Sequence, residues 1–258
     1  MTRIISVTNH KGGVAKTTTA INLAHALALQ GQKILLVDLD PQGNATQHLG
    51  VTFTKNMYHL IATPEHLAAC FCNARKNLDV LPANKNLFAA ELGILAQPGR
   101  ELILRNKLQP AVPVYDFILI DCAPSLSVLT HNALACSSEV LVPVAMDYLS
   151  FAGLESVQRT VSTIRQALGH EVQITGIVPT FFHARVRASH EILKTLKDRW
   201  GDKVLPTIRT CSKLREAPKH GKTIFEHAPT SRGAQDYETL ARKISTMEVR
   251  QHESEPRA

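Results

Sequence analysis

Residues 11–19 read Lys-Gly-Gly-Val-Ala-Lys-Thr-Thr-Thr. Lysines, paired glycines and hydroxyls so close together are what a polyphosphate needs. Glycines let backbone N–H groups close on phosphate oxygens, a lysine neutralises the outer phosphates, and a threonine hydroxyl gives an oxygen to magnesium. Lys16 and Thr17 fill the last two places of the general phosphate-loop pattern Gly-x-x-x-x-Gly-Lys-Ser/Thr. Its two glycine places hold His10 and Ala15, while Gly12 and Gly13 lie inside the loop and supply close approach and unusual φ. An additional lysine, Lys11, precedes them. The expected nucleotide contacts are Lys11, Gly12, Gly13, Val14, Ala15, Lys16, Thr17 and Thr18. A chance Gly-Gly turn is the bland alternative, and a strand before with a helix after argues against it.

Acids follow at two strand ends. Asp38 and Asp40 in Leu36–Gly43 are two residues apart, so they point the same way if the strand persists, and two carboxylates there suit magnesium and water. The competing reading is that Asp38 caps and Asp40-Pro41 turns the chain. Phe117–Asp121 is an apolar run ending in one acid, an arrangement that delivers a carboxylate to a metal's water shell. The expected metal set is Thr17, Asp40 and Asp121.

Positioning these groups requires alternating strands and helices. Strand-like runs lie at Arg3–Thr8, Lys33–Asp38, Leu78–Leu81, Phe117–Asp121, Val140–Val144, Val172–Val178 and Val204–Ile208. Helical patterns fall at Thr17–Leu29, Phe88–Lys107, Ser125–Ala135, Phe151–Leu168, Ser189–Trp200 and Gln235–Met247. The alternation predicts an α/β fold with a mostly parallel twisted sheet flanked by helices and its ligand at the carboxyl ends of the strands. One domain spans 1–250, followed by a short polar tail at 251–258.

The Lys-Gly-Gly-x-x-Lys-Thr-Thr form of the loop resembles that of the ParA/Soj-like partition ATPases, the deviant Walker A branch of the P-loop NTPases. Asp38–Gly43 is similar to their Asp-x-Asp-Pro-Gln-Gly, and Asp121–Pro124 to their Asp-x-x-Pro. The likeness extends through Leu78–Glu91, Ile177–Ser189, Ile208–Gly221 and Ala228–Leu240, nearly the whole chain; Ala15 in place of glycine is a mild departure. The resemblance implies a slow, partner-stimulated, magnesium-dependent ATP hydrolase in which Lys16 is catalytic. It implies that Lys11 reaches across a nucleotide-sandwiched homodimer, that Asp40 polarises the attacking water, and that Gln42–Thr46 forms the first switch. It places the adenine against residues 206–212, among them Pro206, Thr207, Arg209 and Thr210. It further implies a ParB-like or other adaptor, and as cargo a plasmid or chromosome locus or a protein compartment such as the carboxysome positioned by McdA-type members.

The formal net charge of +7 points towards a polyanion, and residues 185–222 are locally strongly cationic. No base-reading motif is evident, so DNA binding is expected to be non-specific. By resemblance its carriers are Arg187, Lys213, Lys219 and Lys222, while the 194–199 lysines read as a solvated helix face.

Cys70, Cys72, Cys122, Cys136 and Cys211 are odd in number and lack zinc-site spacing, so reduced, packed thiols are expected. No apolar run is long enough to span a bilayer and no signal segment is apparent, which predicts a cytoplasmic protein without a membrane partner; the resemblance implies that it is nucleoid-associated. Two other classes compete. A MinD-like membrane-cycling regulator needs a basic amphipathic C-terminal helix, and Ser245–Glu253 is poor in bulky apolar groups. An iron–sulfur ATP-dependent reductase needs thiolates at a dimer axis, and Cys122 and Cys136 lack that context.

Overall fold

The computed structural model describes residues 2–147 and 150–247. The tail expected at 251–258, and most of the 245–253 segment that a membrane helix would need, lie outside the described residues. In chain order the elements are β1 (Arg3–Val7), α1 (Lys16–Leu29), β2 (Ile34–Leu39), α2 (Asn44–Leu49), α3 (Met57–Ala62), α4 (Leu67–Cys70), β3 (Cys72–Arg75), β4 (Leu78–Leu81) and α5 (Leu87–Ile94). They continue with α6 (Ile103–Leu108), β5 (Phe117–Cys122), α7 (Val128–Cys136), β6 (Glu139–Ala145), α8 (Ser150–Leu168) and β7 (Gln173–Thr180). The last are α9 (Arg187–Trp200), α10 (Ser212–Glu216), α11 (Ile224–His227) and α12 (Arg232–Thr246).

The strands form one sheet in the order β3-β4-β2-β5-β1-β6-β7, parallel except for the β3–β4 pair. Both faces are covered, which is why β2 is apolar at nearly every position. Ile34 and Leu36 join the core under α1 and α12, while Leu35, Val37 and Leu39 join the core under α3, α5, α6 and α7. A third cluster packs α8, with Leu196 of α9, onto β6 and β7. Cys70 is buried in the second cluster and Cys72 packs against the first.

Two sequence expectations are corrected. Val204–Ile208 is not a strand: its backbone pairing with β7 is one isolated bridge, Ile177 with Val204, and the bonds Leu205 N–H to Ile177 O and Ile208 N–H to Pro179 O. Pro206 and Pro179 each lack an N–H, so a continuous ladder cannot form between them. The helix expected over Phe88–Lys107 is broken into α5 and α6, because Pro98 lacks a donor and Gly99 turns left-handed at φ 68°. The short strand β3 carries no strong alternation and has no counterpart among the sequence expectations.

Candidate functional site

Parallel strands bring their carboxyl ends to one edge, so the loops after β1, β2, β5, β6 and β7 converge there. The 9–15 loop is fixed from several sides. Asn9 donates to the Pro143 carbonyl at 2.8 Å, its own side-chain oxygen accepts the Lys11 N–H at 3.0 Å, and Thr180 Oγ1 donates to the Val14 carbonyl at 3.1 Å. Gly153 of α8 lies so close that a Cβ there would sit 2.6 Å from Asn9 Oδ1. Gly13 and Ala15 both adopt left-handed backbone, with φ of 73° and 66°. Ala15 is the residue before α1, and it makes no side-chain cap. The first N–H groups of α1 thus face the loop uncapped, the arrangement that binds anionic oxygens.

The two lysines are placed differently. Lys16 is buried and its Nζ folds back to the Lys11 carbonyl at 3.0 Å. Burial pushes its ammonium down, and the charges of Asp121, Cys122 and Asp40 pull it back. Lys11 leaves the cradle: its Nζ lies 2.7 Å from Asp147 Oδ1 and 3.3 Å from Ser150 Oγ, with 30% of the side chain exposed. Neither Asp147 nor Ser150 stands out in the sequence. Thr17 and Thr18 are half-buried on the first turn of α1, and Gly12 is open to solvent.

The acids divide as well. Asp38 Oδ2 accepts from the Thr46 N–H at 2.9 Å and hydroxyl at 2.6 Å, so Asp38 anchors α2. Burial raises its carboxyl to about 6 even with these bonds in place. Asp40, 6% exposed, accepts the Gln42 N–H at 2.9 Å and thereby shapes the Pro41–Gly43 turn. Gly43 must be glycine: a Cβ there would meet the Ala83 carbonyl at 2.6 Å with φ at 64°. Asp121 is fully buried and neither carboxylate oxygen accepts a conventional hydrogen bond. Burial and then Asp38 push its carboxyl well above the usual range, while Thr17 and Lys16 pull the other way.

An orphaned buried carboxylate beside a threonine hydroxyl fits a divalent cation. Among the described residues no three His, Cys, Asp or Glu side chains cluster as metal ligands. The available set is instead the hard, sparse oxygen set that magnesium uses when phosphates and waters complete its shell.

Beside the phosphate loop opens a cavity of about 380 Å³ lined by Gly13, Ala15 and Thr18 together with Phe181, Cys211 and Leu214. Arg209 and Thr210 line it too; Pro206 and Thr207 are not among its lining residues. Arg209 spends its guanidinium on Asp236, with the closest contact at 2.6 Å. Cys211 falls in the 206–212 segment expected to border the adenine, while Phe181, Leu214, Pro218 and Tyr237 escape sequence reasoning as lining residues, since nothing in their spacing links them before folding.

The chain matches the family model described as AAA domain over residues 2–174. It is 38% identical to the sporulation initiation inhibitor protein Soj of Bacillus subtilis, covering 95% of this chain and 99% of the relative. The chain belongs to the Soj/ParA family of partition ATPases. A second family member, the chromosome-partitioning ATPase Soj of Treponema pallidum, is 40% identical over 95% of this chain and 97% of its own length. In fold, a Mycobacterium smegmatis cobyrinic acid a,c-diamide synthase with bound ATP analog and magnesium aligns at TM-score 0.82 and 32% identity, over 95% of both chains. The ATP analog and magnesium bound to that neighbour support ATP and magnesium as the cofactors of this family member.

A basic surface adjoins the cavity beside the phosphate loop and shares Arg209, Thr210 and Cys211 with it. One depression of about 290 Å³ is lined by His183, Arg185, Arg209 and Arg232, and a neighbouring one of about 500 Å³ by Thr210, Cys211, Lys213 and Arg232. Of the four expected DNA-binding residues only Lys213 lines either, and it is paired with Glu216 at 2.7 Å. Arg187 pairs with Glu191 at 2.8 Å on the exposed start of α9, and Lys219 and Lys222 lie on the exposed segment between α10 and α11. Arg185 and Arg232 are cations that only the fold brings to this surface.

Proposed function

We propose that this chain is an ATP- and magnesium-dependent switch that pairs two copies, holds non-specific DNA while paired, and releases it on hydrolysis. The observation that carries the reading is the divergence of the two loop lysines. Lys16 is folded into its own loop, whereas Lys11 ends on an exposed acid outside it. That partly exposed ion pair is worth under about 1 kcal/mol, so the phosphates of a second subunit can replace it. Lys16, Thr17 and the α1 amides hold the phosphates, and Thr17 with Asp121 holds magnesium through its water shell. Asp40 orients the attacking water, and the base enters the cavity bordered by Arg209 and Thr210.

Membership among chromosome-partitioning ATPases supports DNA as the polyanion and an adaptor of the ParB kind as the stimulating partner. Arg185, Lys213 and Arg232 form the contact surface; Arg187, Lys219 and Lys222 flank it. The whole described chain acts as one ATPase domain, working in the cytoplasm on the nucleoid. No helix among the described residues is long and apolar enough to cross a membrane. The testing experiment is retention on random-sequence DNA with ATP, ADP or no nucleotide. Retention is expected with ATP alone and to fade with salt; equal retention with ADP refutes the switch.

A further inference from the structure

Three non-glycine residues among those described have left-handed backbone: Ala15, Asn77 and Phe181, with φ of 66°, 60° and 55°. Asparagine tolerates this region; alanine and phenylalanine do not do so readily. The two ill-suited residues line the same cavity, the one beside the phosphate loop. Strained backbone persists where its surroundings hold it, and it concentrates where a ligand acts.

Phe181 is held from both ends. Before it, Thr180 donates to the Val14 carbonyl of the phosphate loop at 3.1 Å and accepts the Met146 N–H at 3.0 Å. After it, the Phe182 N–H donates to Ile208 O at 3.0 Å and Phe182 O accepts the Thr210 N–H at 3.1 Å. The next four residues, His183–Val186, form the wall of the basic depression and carry Arg185. His183 Nε2 lies 2.9 Å from Thr210 Oγ1, which lines both cavities. Phe181 is thus the joint between the cavity wall and the basic rim.

We infer that Phe181 is a positioning residue through which occupancy of the cavity sets the conformation of the His183–Val186 rim. A planar ring entering the cavity packs on the Phe181 side chain and holds its backbone left-handed. Each transient release of Phe181 towards ordinary φ carries Arg185 with it, and occupancy makes that release rarer. The inference rests on the reading of the cavity as the base site, and it adds a link that subunit pairing does not require. The base is common to ATP and ADP, so the rim responds to both, and it responds in a chain that cannot pair through Lys11.

Amide hydrogen exchange tests this on the full chain, read for residues 182–187 without nucleotide, with ADP and magnesium, and with ATP and magnesium. Wild type and Lys11→Ala are expected to show exchange slowed roughly tenfold by either nucleotide, the fold-change that matches the left-handed penalty of a bulky residue. Phe181→Gly should bind a fluorescent ADP analogue more weakly and, at saturating analogue, show no slowing at the rim, and Phe181→Leu should restore the response. If Phe181→Gly does not fold or bind, Phe181→Asn, which removes the ring and tolerates the backbone, replaces it. A wild-type rim indifferent to ADP, or a Phe181→Gly or Phe181→Asn protein that responds as wild type does, overturns the inference. A responding rim in a protein that never retains DNA refutes the DNA reading alone; DNA retention without rim response refutes this inference alone.

Discussion

Asp38 and Asp121 stand opposite each other in register on the parallel strands β2 and β5, both fully buried, and only Asp38 has conventional hydrogen-bond partners. The pair separates two duties that the sequence places on similar strand ends. Asp38 ties down α2 through Thr46, whose hydroxyl also accepts the Ala83 N–H at 2.9 Å. Asp121 leaves both oxygens without a conventional partner. An unpaired buried carboxylate is unfavourable for the folded chain until a cation arrives.

Replacing Asp121 by Asn should therefore raise the stability of the nucleotide-free protein by about 1–3 kcal/mol at pH 8, as read by urea unfolding. The gain should shrink on acidification. Asp38 and Asp121 both have folded pKa values above the usual range, about 6 for Asp38. Each contribution is full below the unfolded value near 3.8 and is lost as pH rises through the folded value. The same variant should lose the magnesium dependence of nucleotide binding.

Lys16→Gln removes the one ammonium folded into the loop. Binding of ATP should weaken by about 10- to 150-fold, since a buried charge-assisted contact is worth roughly 1.5–3 kcal/mol, with the upper end expected because phosphate carries more charge than a carbonyl. Isothermal titration checks it, and unchanged affinity removes Lys16 from the phosphate site.

Asp40→Ala should leave ATP binding intact and stop turnover, measured as phosphate release. A variant that still hydrolyses at the wild-type rate takes the water-orienting role away from Asp40. Its Gln42 contact shapes a short turn only, so a decrease of about 1 kcal/mol in stability is expected beside the catalytic defect.

Alanine at Arg185, Lys213 or Arg232 should weaken ATP-dependent DNA retention and lower the slope of log affinity against log salt by about 0.9 for each DNA phosphate left without its cation. Lys222→Ala, outside the basic depressions, should change the slope least. A uniform effect at all four positions would disperse the contact surface over the whole cationic segment.

The sheet is legible in the sequence because covered parallel strands must be apolar on both faces, as β2 is. Legibility ends at Val204–Ile208, where apolar content is right but two prolines withhold donors from the ladder. A phosphate loop is expected at 11–19 from local spacing alone, and the structure gives that segment left-handed backbone at Gly13 and Ala15 before an uncapped helix start. The Asp147 partner of Lys11, 136 residues away, and the cavity wall from Phe181 to Tyr237 arise only from folding. At Ala15 the missing glycine is visible in the sequence, but its left-handed backbone is not.

Pairing of two chains by ATP through Lys11 is tested most directly by light scattering of the Asp40→Ala protein, with ATP or ADP, in the presence and absence of a second change, Lys11→Ala. Twice the monomer mass is expected with ATP alone, and monomer with ADP or whenever Lys11 is absent. Dimer formation by the Lys11→Ala, Asp40→Ala protein in ATP would contradict pairing through Lys11.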